Sequence, residues 1–404
     1  MEEKARPFIW ETHGIHMGTD NDHVKHGVDA VDEIVEKAIA AEYPGITFVI
    51  HAPRLTGFRY QAEVDTDIKF IRGDLAYMRY ADRVERLRKK YGDQIAIRYG
   101  VELDWMGSGI GLQWNRAKAF QAKNADFFIG SVHFSPEGLP YDGSQEEADA
   151  LVEMRGGVHA YWAGYIEEMI EMVENFSDMI QVVGHLDLPK LRVPLPPELQ
   201  DIERSDAPLA RRMRTLLDCI RGHNLALDVN LAGEKKGVGV YPVPELLQRA
   251  RALSIPVCIG TDTHAVADLG HNYDLGISYV RQCGYTKYLS FSHRVPEKRL
   301  LAAHGDEHTA LSYVNRAMAL LNSRFSGQGK QRIPRVALGE DFAALTSYYP
   351  DALSLGCEEG VKVLCGKKSI AVSRRCPEDP TEGGKVSIRS MQIVRAFCQF
   401  SLVF

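Results

Sequence analysis

The sequence predicts an α/β fold built on a barrel of parallel strands. Up to about residue 302, short runs rich in Val, Ile and Phe alternate with longer segments of helical period, an order that is typical of parallel sheets. The runs number seven or eight, which favours a closed barrel over an open sheet. Histidine or acidic side chains stand where most runs stop, and in a parallel barrel all of those ends emerge on one face.

Each predicted strand is a short apolar run that stops near a polar residue. The strands are predicted to end near His13, His51, Glu102, His133, His185, Asn230 and Asp262, with a further run, YLSFS, before His293. Helices are predicted between them at residues 28–42, 66–91, 159–175, 208–223, 243–253 and 266–283. In 159–175, an apolar stripe recurs at three- and four-residue spacing, which indicates core packing against the barrel. The stripe consists of Tyr161, Tyr165, Ile166, Met169, Ile170 and Val173.

The periodic pattern divides the chain into two predicted parts. Residues 1–305 are predicted to form the barrel, and residues 306–404 a small C-terminal extension to which no function is assigned. Within the extension, one helix is predicted at 308–324, and the segments GVKVLCG and SIAVS are predicted to form a small β element. The Pro-rich stretch 188–199 is predicted to be a loop over the face where the polar residues emerge, because proline lacks a donor and fixes φ.

Composition excludes several functional classes. The chain has 404 residues, of which 45% are hydrophobic and 25% charged, as in ordinary globular proteins. Its formal net charge of −6 and the lack of a basic patch argue against a nucleic-acid-binding surface. The amino terminus, MEEKARPF, lacks a signal-peptide core, and no run of about 18 apolar residues occurs, so a cytoplasmic protein without a membrane partner is expected.

The seven cysteines do not predict a disulfide framework. Their number is odd and no C-x-x-C pair occurs. Cys219, Cys258 and Cys283 lie within or beside apolar stretches, which favours reduced thiols.

Nine residues are predicted to bind metal ions. Imidazole nitrogens and carboxylate oxygens are the donors that divalent transition metals prefer, and a site for two or three ions needs about eight of them with a bridging carboxylate. A single histidine at a strand end is more often structural, but chance does not readily explain so many together. The predicted ligands are His13, His16, His26, His51, Glu102, His133, His185, Asp262 and His264.

The first of these segments has an unusual spacing. Residues two apart on a strand share a face, whereas residues three apart do not. His13 and His16 can therefore both bind metal only if the strand has ended or bulged at Gly14. The dense cluster HGIHMGTDNDHVKHG favours metal at His26 and at one or both of this pair, while His23 is expected to be solvated or to lie outside the ligand set.

These motifs, taken in order, resemble those of the polymerase and histidinol phosphatase (PHP) family, in its histidinol-phosphatase branch. The resemblance covers roughly residues 8–302. It is carried by KHG at His26, HAP at His51, GVELDW at Glu102, SVHF at His133, GHLDL at His185, LALDVNLAGEKKGVGVYP at 225–242 and IGTDTHAVADLG at 259–270. The resemblance implies a distorted (β/α)7 TIM-like barrel, up to three Zn, Fe or Mn ions as cofactors, and phosphoester hydrolysis.

The chain departs from the family pattern at two places. The family normally opens with Asp-x-His-x-His, whereas here the segment from Glu11 to His16 has one extra residue between its histidines and a longer loop before His26. The family also usually carries an acidic residue before the HAP histidine, where this chain has Ile50.

The predicted chemistry is attack of a metal-bridging hydroxide on a phosphomonoester, since coordination lowers the pKa of water towards about 7 and the cations neutralise the phosphoryl oxygens. Glu102 is the predicted bridging carboxylate, and Asp262 or His264 is predicted to relay a proton to the leaving group. A phosphate also favours Arg or Lys contacts. Lys236 is preferred for that role over Arg192 and Arg54, although it can equally be a solvated loop charge.

The expected function is that of a metal-dependent phosphoric monoester hydrolase acting on a small molecule. The resemblance implies L-histidinol phosphate as substrate, with L-histidinol and phosphate as products, a reaction of histidine biosynthesis. Two alternatives stay open: the same barrel acting on another small phosphoester, such as a nucleotide or sugar phosphate, or a degenerate barrel that binds metal without turnover. The sequence does not predict an oligomeric state.

Overall fold

Seven parallel strands form the central sheet. The computed structural model of the protein describes residues 9–16, 31–61, 70–301, 361–365 and 368–372. The strands follow one another in chain order around the sheet. They are β1 (Ile15–His16), β2 (Gly45–His51), β3 (Ala96–Asp104), β4 (Phe127–Ser131), β5 (Val182–Val183), β6 (Ala226–Asn230) and β7 (Val257–Gly260).

The two edges of this sheet meet, so the strands enclose a barrel. Ile15 pairs in parallel with Thr263, just after β7. The Thr12 amide donates to the Ile259 carbonyl at 3.1 Å, and the Asp262 amide donates to the His13 carbonyl at 3.0 Å. The predicted barrel of seven parallel strands is thus confirmed, with β1 reduced to two residues.

The barrel interior changes from apolar to polar along every long strand. Alternate residues of a strand face the same side, so every second residue of each strand points into the barrel. Its lower part is an apolar cluster of Val49, Phe127, Ile129, Val182, Ala226, Cys258 and Phe291. Gly100 belongs to the same layer, because a Cβ at this position would lie 2.0 Å from the Phe127 ring. One or two inward positions further along, the strands carry histidine, carboxylate and amide side chains at their C-terminal ends.

Helices surround the sheet. Their bounds are α1 (Val31–Ala40), α2 (Phe70–Tyr91), α3 (Leu112–Gln121), α4 (Gln145–Arg155), α5 (Val158–Phe176), α6 (Pro197–Gln200), α7 (Pro208–Gly222), α8 (Ala232–Lys235), α9 (Pro244–Ala252) and α10 (Tyr273–Gln282). The predicted stripe on α5 is confirmed as core, since all of its residues are buried except Ile170, which is partly buried. α3 and α4 were not predicted from the sequence. The Pro-rich stretch 188–199 contains a 3-10 turn, Leu188–Leu191, and leads into α6.

The eighth apolar run, YLSFS, is a strand but lies outside the barrel sheet. It forms β8 (Lys287–Ser292), which pairs antiparallel with β9 (Val295–Leu300). The amides of His293 and Arg294, in the turn of this hairpin, donate to Asp126, the residue before β4. Phe291 packs into the apolar cluster, with its ring centroid 6.3 Å from that of Phe127. The hairpin therefore closes the end of the barrel where the strands begin, opposite the polar end.

The C-terminal region contributes one described element. β10 (Val361–Cys365) and β11 (Lys368–Val372) form an antiparallel hairpin, as expected from GVKVLCG and SIAVS. The predicted helix at 308–324 lies outside the described residues, and the domain boundary near residue 305 stays a prediction. Among the helices described here, none combines the length and apolar character that a membrane crossing requires. Cys219, Cys258 and Cys283 are free thiols, as predicted.

Candidate metal centre

The Glu102 carboxylate occupies the middle of the polar end of the barrel. It lies on β3 and is buried, with 1% of its surface exposed. Its Oε1 also accepts a hydrogen bond from the Ser131 hydroxyl at 2.6 Å. Five imidazoles face its two oxygens. The distances to Oε2 are 3.4 Å from His13 Nε2, 3.7 Å from His16 Nε2 and 3.2 Å from His51 Nδ1, and those to Oε1 are 3.3 Å from His185 Nε2 and 3.6 Å from His133 Nε2.

Asp262 organises a second part of the same cluster. Its Oδ1 lies 3.0 Å from His16 Nε2, 3.6 Å from His13 Nε2 and 3.9 Å from His264 Nδ1. The His264 ring stacks on that of His16 with centroids 4.6 Å apart. Asp262 has a φ of +49°, in the left-handed region, which places its carboxylate over the barrel end immediately after β7.

Three groups of donor atoms share members. Within each group the atoms lie within 4.8 Å of one another. The groups are His13, His16 and Glu102; His16, Asp262 and His264; and His51, Glu102 and His133. Because Glu102 belongs to two groups and His16 to two, the donors are arranged for neighbouring positions with common ligands, as in a polynuclear site.

The donors fit divalent transition metals. The Nε2 atoms of His13 and His16 are 3.3 Å apart and face the same carboxylate oxygen, a convergence that a shared cation satisfies. Nδ1 of His185 is buried and has no hydrogen-bond partner among the described residues. His185 Nε2 is the nitrogen that faces Glu102, so this ring can offer Nε2 to a metal ion while Nδ1 stays available to a water molecule.

Electrostatics in the cluster favour charged carboxylates. Burial opposes ionisation of Glu102, but the charges of His51 and His13 hold its pKa well below the usual range. Burial likewise opposes ionisation of Asp262, whose pKa is held well below the usual range by His13 and His16. Burial and the neighbouring His16 lower the pKa of His264 to about 4, so this imidazole is neutral at pH 7.

Two aspartates orient the histidines from behind. Asp228 Oδ2, on β6, lies 2.7 Å from His13 Nδ1, which leaves Nε2 of that ring directed at Glu102. Asp104, on β3, pairs with His133 Nδ1 in the same manner. Its other oxygen accepts from Arg54 Nε at 2.6 Å. Neither aspartate was singled out from the sequence.

Two further residues hold the aspartates and the barrel closure in place. Asn230 Nδ2 donates to Asp228 at 3.2 Å and to Asp262 at 3.1 Å, which links the ends of β6 and β7. Glu11 accepts hydrogen bonds from the Thr261 amide at 3.0 Å, from the Thr261 hydroxyl and from the Tyr273 hydroxyl. The acidic residue that opens the first motif thus ties the segment before β1 to the segment after β7.

Asp228→Asn is expected to weaken metal binding by about 10- to 100-fold, the usual effect of losing a carboxylate behind a metal-bound imidazole. The amide cannot supply the negative charge that fixes the Nδ1 proton of His13 and raises the basicity of Nε2. Competition with a chromogenic chelator measures this affinity. Asp218→Asn is the matched control, because this aspartate is exposed on α7 and pairs with Arg221. Equal affinities in the two variants would contradict the role of Asp228.

The structure brings together eight of the nine predicted ligands. His26 lies outside the described residues, as does His23. The prediction that the first strand ends near His13 was wrong, because the strand begins only at Ile15. His13 and His16 converge because the chain bends at residues 12 and 13, so that His13 lies before the strand and His16 within it. Gly14 makes this possible, since a Cβ there would lie 2.3 Å from the Thr47 carbonyl oxygen.

The predicted phosphate-binding residues differ in their surroundings. Lys236 is exposed, and its charge contributes to the low pKa of His264, which burial and His16 dominate. Arg192 is partly buried and its Nε donates to the carbonyl of Gly143. Arg54 is buried against Asp104.

Asp187 stands two residues after His185, a position from which the sequence predicts either that it orients the His185 imidazole or that it caps a helix. The structure shows neither role among the contacts of the described residues. Asp187 Oδ2 accepts from the Val243 amide at 2.9 Å and pairs with Lys190 at 3.2 Å. The 3-10 turn that follows has no side-chain cap. Asp187 therefore anchors the loop after β6 and has no contact with the His185 ring among the described hydrogen bonds.

The barrel is closed and parallel, and the ends of its strands bring imidazole and carboxylate donors together at shared positions. These features define a class of barrel proteins with polynuclear metal sites. A family model, the PHP domain, matches residues 15–232, more than half of the chain. The chain belongs to the PHP domain family, as its motifs predicted.

Proteins similar to this chain bear histidinol-phosphatase names. A "Probable histidinol-phosphatase" of Deinococcus radiodurans is 25% identical over 67% of this chain and 93% of its own length. The "Histidinol-phosphatase" of Bacillus subtilis is 24% identical over 63% of this chain and 93% of its own. A crystal structure of histidinol phosphate phosphatase from Lactococcus lactis, complexed with Zn, L-histidinol and phosphate, superposes with a TM-score of 0.52 at 16% identity, covering 72% of this chain and all of that one. This likeness supports the barrel fold.

Proposed function

We propose that the protein is a metal-dependent phosphatase that hydrolyses L-histidinol phosphate to L-histidinol and inorganic phosphate, a reaction of histidine biosynthesis. The observation that carries this proposal is the shared position of Glu102, whose two oxygens face five imidazoles. Such a shared carboxylate is what two adjacent cations require. The names of the relatives support the choice of substrate.

The metal ligands in this proposal are those predicted from the sequence. His13, His16, His51, Glu102, His133, His185, Asp262 and His264 would hold two or three Zn, Fe or Mn ions, and His26 belongs to the same predicted set. Bound ions of this kind lower the pKa of water and neutralise phosphoryl oxygens. The chain itself supplies their spacing, because the ligands come from six different strands or from residues within four positions of them.

The remaining residues bind the phosphate and handle the proton. Lys236 and Arg192 bring positive charge to the barrel mouth, while Arg54 acts mainly through Asp104. The leaving alkoxide needs a proton. Asp262 and His264 are the two groups positioned to relay a proton from solvent, since both contact the ligand cluster and the His264 side chain is 38% exposed, against 12% for Asp262.

Metal analysis paired with a phosphate-release assay tests the proposal. Purified protein loaded with Zn or Mn is expected to bind at least two ions per chain and to release phosphate from L-histidinol phosphate faster than from nucleotide or sugar monophosphates. Faster turnover of one of those other phosphates would replace the substrate assignment and keep the hydrolase. Fewer than two ions together with no turnover would favour the degenerate barrel. The cytoplasmic location expected from the sequence stays a prediction.

Lys236→Ala is expected to raise KM by about 10-fold, with little effect on metal content, because a charge-assisted contact to phosphate is worth about 1.5–3 kcal/mol when desolvated and less at an exposed position. Steady-state kinetics and metal analysis on the same sample measure both quantities. Lys235→Ala is the matched control, since the neighbouring lysine pairs with Asp268 on the surface. Unchanged kinetics for Lys236→Ala would return this residue to an ordinary surface charge.

A further inference from the structure

Asp142 is a carboxylate at the rim of the barrel mouth that the proposed chemistry leaves unused. It lies in the loop after β4 and is partly buried. The Tyr60 hydroxyl donates to its Oδ1 at 2.8 Å. In the described part of the chain, no hydrogen bond or ion pair to its other oxygen is present, so Oδ2 is available to an incoming donor.

Backbone and side-chain contacts place Asp142 beside the metal cluster. The amide of the preceding residue, Tyr141, donates to the carbonyl of His133 at 2.8 Å. On its other side, Asp142 is held by Tyr60, whose ring lies under the Arg54 guanidinium at 5.2 Å. Arg54 in turn pairs with Asp104, which orients His133. Two series of contacts that both begin at His133 therefore hold Asp142 at the rim. One passes through the backbone of Tyr141, and the other passes through Asp104, Arg54 and Tyr60.

The neighbouring residue connects Asp142 to a predicted phosphate-binding group. Arg192 Nε donates to the carbonyl of Gly143. Burial raises the pKa of the Tyr241 phenol, the charges of Asp187 and Asp142 add to the rise, and the charge of Arg192 opposes it. A cationic side chain is therefore anchored to the residue that follows an anionic one, and both charges act on the same phenol.

An aromatic surface adjoins this carboxylate. The rings of Tyr60 and Phe134 have centroids 4.8 Å apart, and Phe58 meets Phe134 edge-on at 6.2 Å. Tyr60 and Phe58 are both partly exposed. An aromatic surface beside a carboxylate suits a ligand that carries a protonated nitrogen on an apolar or aromatic group.

We propose that Asp142 binds the ammonium group of an amino-alcohol phosphate and thereby determines the substrate class, an inference that rests on the proposed function. In L-histidinol phosphate, the carbon that bears the ammonium group adjoins the carbon that bears the phosphate ester. The groups that recognise the cation and the anion must then lie near each other, and the hydrogen bond from Arg192 to Gly143 holds that arginine at the residue next to Asp142. Asp142 is a specificity residue in this proposal and takes no part in bond breaking.

A comparison of two substrates tests this assignment. Asp142→Asn is expected to lower kcat/KM for L-histidinol phosphate by about 10- to 100-fold, the effect of losing one charged hydrogen bond. For the des-amino analogue, 3-(imidazol-4-yl)propyl phosphate, the same substitution is expected to change kcat/KM by no more than about twofold, because no ammonium group is present. Inhibition by L-histidinol is expected to weaken in parallel, while inhibition by inorganic phosphate stays unchanged.

Two further variants keep the test specific. Tyr60→Phe retains the ring and removes only the donor to Asp142, so a smaller loss with the same substrate preference is expected. Asp149→Asn is the control, because this aspartate is exposed on α4 and accepts from Gln145. Equal losses on both substrates, or no loss on either, in folded Asp142→Asn protein overturn the inference alone. A wild-type protein that turns over neither substrate overturns the proposed function and this inference with it.

Discussion

Glu102→Gln is expected to abolish phosphatase activity, with a loss of about 10³-fold or more, because the contribution of the metal ions to transition-state stabilisation is several kcal/mol. The amide keeps the size of the side chain but removes the charge that five imidazoles face. Its NH2 group also turns one acceptor into a donor directed at a histidine nitrogen. Both changes act on every ion that shares this residue.

The measurement combines activity, metal stoichiometry and far-UV circular dichroism. Metal content is expected to fall by at least one ion per chain, with the spectrum of the folded barrel retained. Glu171→Gln, on the exposed side of α5, provides the matched control and should leave all three readings unchanged. Wild-type turnover by the Glu102→Gln protein would remove this residue from the centre of the site.

Removal of metal ions by a chelator is expected to abolish activity and to lower the midpoint of thermal unfolding by about 8 °C or more, if the ions are present at about 1,000 times their dissociation constant. Without cations, the carboxylates of Glu102 and Asp262 stay buried among imidazoles that must take up protons instead. For His13, burial disfavours the charged ring, yet the charges of Asp262 and Asp228 raise its pKa well above the usual value. Protonated imidazoles would then balance the charge of the carboxylates in place of metal ions, but they make fewer favourable contacts with those carboxylates than bound metal does.

Calorimetry before and after chelation measures the shift, and addition of Zn or Mn should restore both activity and midpoint. The Glu102→Gln protein serves as the control, since a variant that has already lost at least one ion per chain should lose less stability in chelator than the wild-type protein does. A chelated wild-type protein that keeps its activity would show that turnover is independent of bound ions.

Most of the candidate ligands could be located from the predicted strand ends, because a parallel barrel brings the C-terminal ends of its strands to one face. His51 and Glu102 occupy partnered positions on β2 and β3, and each follows an apolar run that was readable without coordinates. β4, β5 and β7 end two residues before His133, His185 and Asp262, a shift that leaves these side chains on the same face. The barrel and this face were therefore predictable from the alternation of runs.

Asp104 and Asp228 were missed because their roles depend on which residues of each strand point into the barrel. Asp104 stands two residues after Glu102, and Asp228 stands two residues before Asn230, so each lies on the same side of its strand as a residue already noticed. Counting every second residue from a known inward-facing residue of each strand finds both aspartates. The same alternation also explains Ile50: it packs in the outer core between two inward positions, so an acidic residue there would not face the cluster.

Other features could not be read from the sequence. The YLSFS run has the composition of a barrel strand, and only its antiparallel pairing with β9 removes it from the sheet. The spacing of His13 and His16 depended on a bend whose existence requires the close approach of Gly14 to Thr47. Both features are decided by contacts between segments that are distant in sequence, and local sequence patterns do not predict such contacts.

The order of the ligands along the chain also constrains when the site can exist during synthesis. His13 leaves the ribosome some 250 residues before Asp262 and His264, which complete one of the three donor groups. The hydrogen bonds that join the segment at Thr12 to Ile259 form only then. A nascent chain that stops short of this point holds several soft nitrogen donors without their full set of carboxylates. We therefore expect stoichiometric metal uptake only after translation has passed the last barrel strand.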